Sequence, residues 1–172
     1  MSQPPSNLQA MWPVIAAFVG IVFIMSLAFE HVIEQRRNPN ASLVAGDAAG
    51  GRVVLSRNRY GAYVAPGLIN GQPVTFLVDT GATSVAMPDR VARRLGLERG
   101  AEFRSQTAAG LTTSYATWID SVVIGGIRVE NVGGSIVPAM GGDEILLGMS
   151  FLQHIDFSQQ GEQLVLEAPA SR

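Results

Sequence analysis

The chain has 172 residues with 12 Arg, no Lys, 14 Asp plus Glu and a formal net charge of −2. That size suits one folded domain, and that charge offers no broad basic surface for nucleic acid. With no Cys, disulfides, thiolate metal sites, iron–sulfur clusters and a Cys nucleophile are excluded, and two His, His31 and His154, leave a multi-His metal centre almost without ligands.

The remaining composition, 47% hydrophobic and 15% charged with 19 Gly, excludes disorder and a coiled coil. It leaves a turn-rich globular domain with an apolar attachment and no requirement for a cofactor.

In chain order, residues 1–11 form a tail without Lys or Arg, and Trp12 to Phe29 is an uncharged run of 18 residues. As a helix that run rises roughly 27 Å, close to the hydrocarbon thickness of a bilayer. Trp12 suits the interface and Glu30 closes the other end. Ser26-Leu27-Ala28 resembles a signal-peptide cleavage site, but the tail lacks basic residues and the run is long for a signal core. The expectation is a single-pass anchor over residues 12–29, with the lipid bilayer as its partner. Arg36 and Arg37, after the span, place the following domain in the cytoplasm by the positive-inside rule. Residues 30–52 read as a flexible tether: Asn38-Pro39-Asn40 stops a continuing helix, and A-G-D-A-A-G-G follows over residues 45–51. His31 reads as a solvated juxtamembrane residue rather than a pH sensor.

Residues 53–167 read as a small β domain, with residues 168–172 as a tail. V-V-L-S (53–56) and Y-G-A-Y-V-A (60–65) form a hairpin pattern around R-N-R. Asn70-Gly71 is a two-residue hairpin signal that returns P-V-T-F-L-V (73–78). Pro88-Asp89 opens a short helix with Val91, Ala92 and Leu95 on its apolar face, and Gly96 ends it. Gly pairs at 125–126, 133–134 and 141–142 read as turns between short strands, and a second short helix is expected from Met149 to about His154. The pattern is antiparallel, Greek-key or barrel-like.

One motif carries chemistry. F-L-V-D-T-G-A-T-S (76–84) delivers Asp79 from an apolar strand into a Gly turn. A carboxylate there needs hydrogen-bond donors or a shared proton. Gly81 lets backbone N–H groups approach it, and Thr80 offers a hydroxyl to tie the turn down. Alone, the tripeptide is an ordinary β-turn; its setting after an apolar strand, with a helix and Leu95-Gly96-Leu97 following, changes that reading.

L-V-D-T-G-A-T-S (77–84), A-R-R-L-G-L (92–97), T-A-A-G (107–110), I-L-L-G-M-S-F-L (145–152) and the terminal Q-L-V-L (163–166) together resemble the retropepsin-like aspartic proteases, specifically the single-domain, membrane-anchored bacterial family. The resemblance spans roughly residues 53–167. It implies an all-β, closed, mostly antiparallel barrel protomer with one or two short helices, working as a homodimer on protein or peptide substrates. It implies that Asp79 is the catalytic carboxylate, that Thr80 makes an inter-subunit hydroxyl contact, and that Gly81 supplies backbone donors. Thr107, Ala108, Ala109 and Gly110 would form the flap tip, and Leu146, Leu147 and Gly148 the loop packed under the active-site turn. It also favours the periplasmic face of the inner membrane, against the vote of Arg36 and Arg37.

The count of carboxylates points to the dimer independently. Aspartic proteolysis needs one carboxylate to activate water and a second, protonated, to polarise the scissile carbonyl. Only Asp79 precedes Thr/Ser-Gly; Asp47, Asp89, Asp120, Asp143 and Asp156 do not. The second group is therefore expected from Asp79 of another copy. An interface that builds the site and interleaves terminal strands should bury on the order of 2,000 Å² or more. Pepsin-like chains commonly have Ser or Thr after the triplet; Ala82 donates nothing, which shifts the expected activity window from strongly to mildly acidic.

Other candidates are weaker. Asp143-Glu144 reads as loop charge rather than a cation site, and His154 with Asp156 as surface residues rather than an acid–base pair. Ser84 with His154 lacks a nucleophile elbow. The Gly-rich stretches lack Gly-Lys-Ser/Thr and cradle no phosphate. Trp118 reads as a core aromatic before a pocket residue. The leading reading is an aspartic endopeptidase. The alternatives are a catalytically silent, membrane-tethered dimerisation or peptide-binding module of the same fold, and a precursor released by cutting the tether.

Overall fold

The structure, a computed structural model, describes residues 15–26, 37–43, 51–107 and 110–169. It divides into two units, residues 1–37 and residues 38–172. In the first, residues 15–26 are helical (α1), with Phe18, Val19, Phe23, Ile24 and Met25 all exposed. Among the described residues no helix is long and apolar enough to cross a membrane. The expected tail 1–11, both ends of the expected span, His31 and Arg36 lie outside the described residues, as do Ala108 and Ala109.

The described residues of the second unit form two sheets. Six strands close a ring in the order β2 (Val64–Ile69), β3 (Gln72–Val78), β8 (Ile145–Leu147), β4 (Val85–Pro88), β7 (Ile127–Val137) and β6 (Gly110–Ile124). The ring closes where Gly67–Ile69 of β2 pair with Ile124–Val122 of β6, and β5 (Glu102–Thr107) extends β6 outward as a hairpin. A three-stranded antiparallel sheet, β1 (Arg52–Ser56), β10 (Gln163–Glu167) and β9 (Asp156–Gln160), completes the unit. Two short helices, α2 (Asp89–Arg94) and α3 (Met149–Leu152), lie between strands. The all-β barrel expectation therefore holds, with one correction. β3 with β8 and β4 with β7 are parallel pairs, and in each the partners are joined through long intervening chain, β4 to β7 in the first and α2, β5 and β6 in the second, as parallel pairing requires.

Local chemistry explains the elements that the sequence announces. Asn70 and Gly71 have φ of +49° and +77°, as a type I′ turn requires. The Asn70 side chain is also used, since its Oδ1 accepts the Ser121 N–H at 3.0 Å. Pro88 takes extended backbone as the N-cap of α2, Val91, Ala92 and Leu95 are buried, and Gly96 leaves the helix at φ +71°. The core gathers Leu55, Ile69, Phe76, Met87, Ile119, Ile136 and Phe151 around the barrel interior.

Four expectations are corrected. Residues 53–56 and 60–65 do not form a hairpin: β1 pairs with β10, Arg52 opposite Glu167 and Ser56 opposite Gln163. The loop between them closes on itself, with Asn58 Oδ1 accepting the N–H groups of Tyr60 and Ala62 at 2.9 and 3.0 Å. Gly133-Gly134 is no turn but lies inside β7; a Cβ on Gly134 would come within 2.9 Å of Thr117 Cγ2, so the strand needs Gly for close approach. Trp118 is 74% exposed, because it alternates with the inward Thr117 and Ile119 along β6. Residues 38–43, within the segment read as tether, belong to the second unit, and Leu43 packs against its core.

Candidate active site

Asp79 follows the last residue of β3 directly. In parallel register, Leu77 lies opposite Leu146 and Val78 opposite Leu147, and the Asp79 N–H extends that ladder by donating to the Leu147 carbonyl at 3.2 Å. The chain then turns. Ala82 N–H donates to the Asp79 carbonyl at 3.2 Å, and Gly81 N–H donates to Asp79 Oδ1 at 2.9 Å. The half-buried carboxylate is thus oriented by the backbone of its own turn, while Thr80 is exposed.

The far side of the turn is fixed to the start of α3. Met149 N–H donates to the Ala82 carbonyl at 2.8 Å, and Ser150 N–H to the Thr83 carbonyl at 3.1 Å. Two N–H groups that a helix start leaves without partners thereby become the clamp on the Asp79 loop. Gly148 makes this approach possible: a Cβ there would lie 2.3 Å from the Ser84 carbonyl oxygen and 2.6 Å from that of Ala82. Both obstacles are backbone. Gly148→Ala should therefore cost about 2–3 kcal/mol of stability, read as an earlier denaturant midpoint.

Ser150, which sequence reasoning missed, joins three elements. Its Oγ donates to the Gly133 carbonyl in β7 at 2.7 Å and accepts the Val85 N–H at the start of β4 at 3.0 Å. Ser150→Ala strands both backbone groups and should destabilise by about 1–3 kcal/mol, measured by the same unfolding experiment. No local signal marks such a serine, because its partners are main-chain atoms distant in sequence. Ser84 Oγ donates to Ser135 Oγ at 2.9 Å, an arrangement that serves strand packing and not a Ser–His pair.

The structure thus brings Asp79, Gly81 and Ala82 together with Leu146, Leu147 and Gly148. Thr107 and Gly110 sit opposite one another at the end of the β5–β6 hairpin, where Thr107 Oγ1 donates to the Gly110 carbonyl at 2.9 Å. Among the described residues no hydrogen bond joins that hairpin end to the Asp79 turn. Two of the other acidic candidates, Asp89 and Asp143, are engaged elsewhere. Asp89 binds Arg93 and Arg99, and its hydrogen bonds hold the Arg99 guanidinium proton more tightly than usual. Asp143 pairs with Arg90 at 2.9 Å, and His154 and Asp156 are exposed.

Residues 65–154 match the sequence model of the family described as "gag-polyprotein putative aspartyl protease". An uncharacterized Sinorhizobium protein from the region 5′ of cobV is 29% identical over 125 residues, covering 70% of this chain and 54% of that protein. The uncharacterized protein RP867 of Rickettsia prowazekii is 29% identical over 150 residues, covering 84% and 63%. The chain therefore spans a little over half the length of these curated relatives. Among solved structures, a retropepsin-like aspartic protease from Rickettsia conorii superposes with a TM-score of 0.57 at 28% identity, covering 69% of this chain and 90% of that one.

Proposed function

Because the chain belongs to the gag-polyprotein aspartyl protease family, with a retropepsin-like fold, we propose that it is an aspartic endopeptidase that works as a homodimer. The observation that carries this reading is the Asp79 carboxylate, delivered by β3 and oriented by the Gly81 N–H. Two such turns, one from each copy, face each other across the dimer axis and share one proton. The ionised Asp79 takes a proton from water as that water attacks the scissile carbonyl carbon. The protonated Asp79 donates to the carbonyl oxygen. Collapse of the tetrahedral intermediate breaks the C–N bond, and the amine leaves with a proton from the pair. Substrate lies extended beneath the β5–β6 hairpin, as an added strand whose alternate side chains enter pockets. Thr80 makes the inter-subunit contact, and Thr107, Ala108, Ala109 and Gly110 form the flap tip. Digestion of a peptide library by wild type and Asp79→Asn chains tests the reading; cleavage by both refutes it.

The proposal includes a single-pass anchor over residues 12–29 in the inner membrane, with the catalytic domain in the periplasm. Its support is the uncharged run in the sequence and the apolar side chains exposed along the described part of α1, since a helix apolar all round needs a nonaqueous surrounding. Carbonate extraction of membranes tests it, and release of the full-length chain overturns it.

Ala82 shapes the pH response. A hydroxyl at this position can donate to the carboxylate and favour its charge, and Ala cannot. Ala82→Ser should move the acidic limb of the rate profile to lower pH on a neutral peptide, and an unmoved limb refutes the argument.

A further inference from the structure

Asn40 lies in the segment whose composition suggests a tether, yet it is 5% exposed. Its side-chain amide bridges two strands. Nδ2 donates to the Ser56 carbonyl at 3.0 Å and the Val64 carbonyl at 2.7 Å, while Oδ1 accepts the Ser56 N–H at 2.7 Å. The segment is folded to present it: Asn38 Oδ1 accepts the Asn40 N–H at 3.0 Å, the Asn40 carbonyl accepts the Leu43 N–H at 3.0 Å, and Leu43 packs against the core. Ser56 ends β1 and Val64 begins β2, and these two strands do not pair with each other. One amide stands in for the missing ladder between them.

The bridge leads to the active-site turn. Val64 lies opposite Leu77, the neighbouring Tyr63 carbonyl accepts the Val78 N–H at 2.9 Å, and Asp79 comes next. From this juxtaposition we infer that Asn40 is a positioning residue for Asp79, and that residues 38–43 are part of the catalytic domain rather than its leash. A cut that is to release an intact enzyme must then fall before Asn38. Removing the amide leaves Ser56 and Val64 backbone groups without partners at the point where β2 holds the end of β3. The catalytic consequence rests on the peptidase reading; the positional one does not.

The test is amide hydrogen exchange on the full chain in detergent, wild type against Asn40→Ala. The expected result is exchange at least about tenfold faster at Ser56 and Val78, with Ile136 in β7 changed by less than about threefold. On a cleavable peptide, kcat should fall with little change in KM. Unchanged exchange at Val78, or an equal rise in every strand, overturns the inference. Should the Ala variant not fold, Asn40→Ser provides the same comparison. The wild type provides one more: a Ser56 amide that exchanges as freely as an exposed strand end refutes the bridge. A wild-type chain that cleaves nothing refutes the peptidase reading instead and leaves the exchange result standing.

Discussion

Asp79→Asn should lower peptide cleavage by at least about a thousandfold, within the range that loss of a positioned acid or base produces, while the fold survives. The asymmetry follows from the geometry of the turn. Asn retains an Oδ1 that can accept the Gly81 N–H, which in the native chain donates to Asp79 Oδ1 at 2.9 Å. It also leaves untouched the backbone bonds from Asp79 N–H to Leu147 and from Ala82 N–H to Asp79. What it removes is the capacity to take and give a proton. Circular dichroism and the unfolding midpoint should stay close to wild type, so lost activity cannot be blamed on lost structure. Residual cleavage within about tenfold of wild type, in a preparation free of host proteases, would end the aspartic-protease reading, because no effect of that size is left for the carboxylate to supply.

Inactive chains should poison active ones. If each site takes one Asp79 from each copy, a wild-type chain paired with an Asp79→Asn chain is silent. After exchange with a ninefold excess of the variant, roughly one wild-type chain in ten still has a wild-type partner, so activity per wild-type chain should fall about tenfold by mass action. Dilution of wild type alone should lower specific activity as dimers dissociate. These two experiments fail together or not at all under the proposed mechanism. Flat activity per chain through both, with monomers seen by sedimentation, would show that the second carboxylate comes from the same chain.

How much of this is legible in the sequence depends on the distance over which each residue acts. Asp79-Thr80-Gly81 declared itself because the turn is local: apolar strand, acid and glycine are contiguous. Asn70-Gly71, and Pro88-Asp89 with Gly96, are legible for the same reason, since positive φ and helix caps are set by the residues that adopt them. The partner of β1 was not legible, because Val53 and Leu55 alternate as any half-buried strand does and nothing nearby names β10. Gly133-Gly134 misled, since a glycine that permits a side chain on the next strand to approach looks the same in sequence as one that turns. Trp118 misled in the opposite direction; its type suggested burial, and strand alternation placed it outside. The bridging roles of Ser150 and Asn40 are not legible in the sequence, for each is a polar side chain whose partners are backbone groups of remote strands.

The pairing of β1 with β10 also has a consequence for biosynthesis. Arg52 and Glu167 are 115 positions apart and hydrogen-bond side chain to side chain at 2.8 Å, so the first strand of the domain is completed by the last. At ordinary translation rates of about 5–20 residues per second, β1 waits on the order of 5–20 s for β10 to be made. During that interval Val53 and Leu55, buried in the finished protein, have no partner strand to shield them. A ribosome stalled before residue 163 would hold a chain whose barrel strands are all synthesised and whose first strand is still an open edge, the kind of surface that chaperones bind and that neighbouring nascent chains can capture. Stop codons introduced at successive positions after Leu152 should therefore give chains that aggregate in detergent until Glu167 is included, with a monodisperse detergent-solubilised species returning abruptly rather than by degrees.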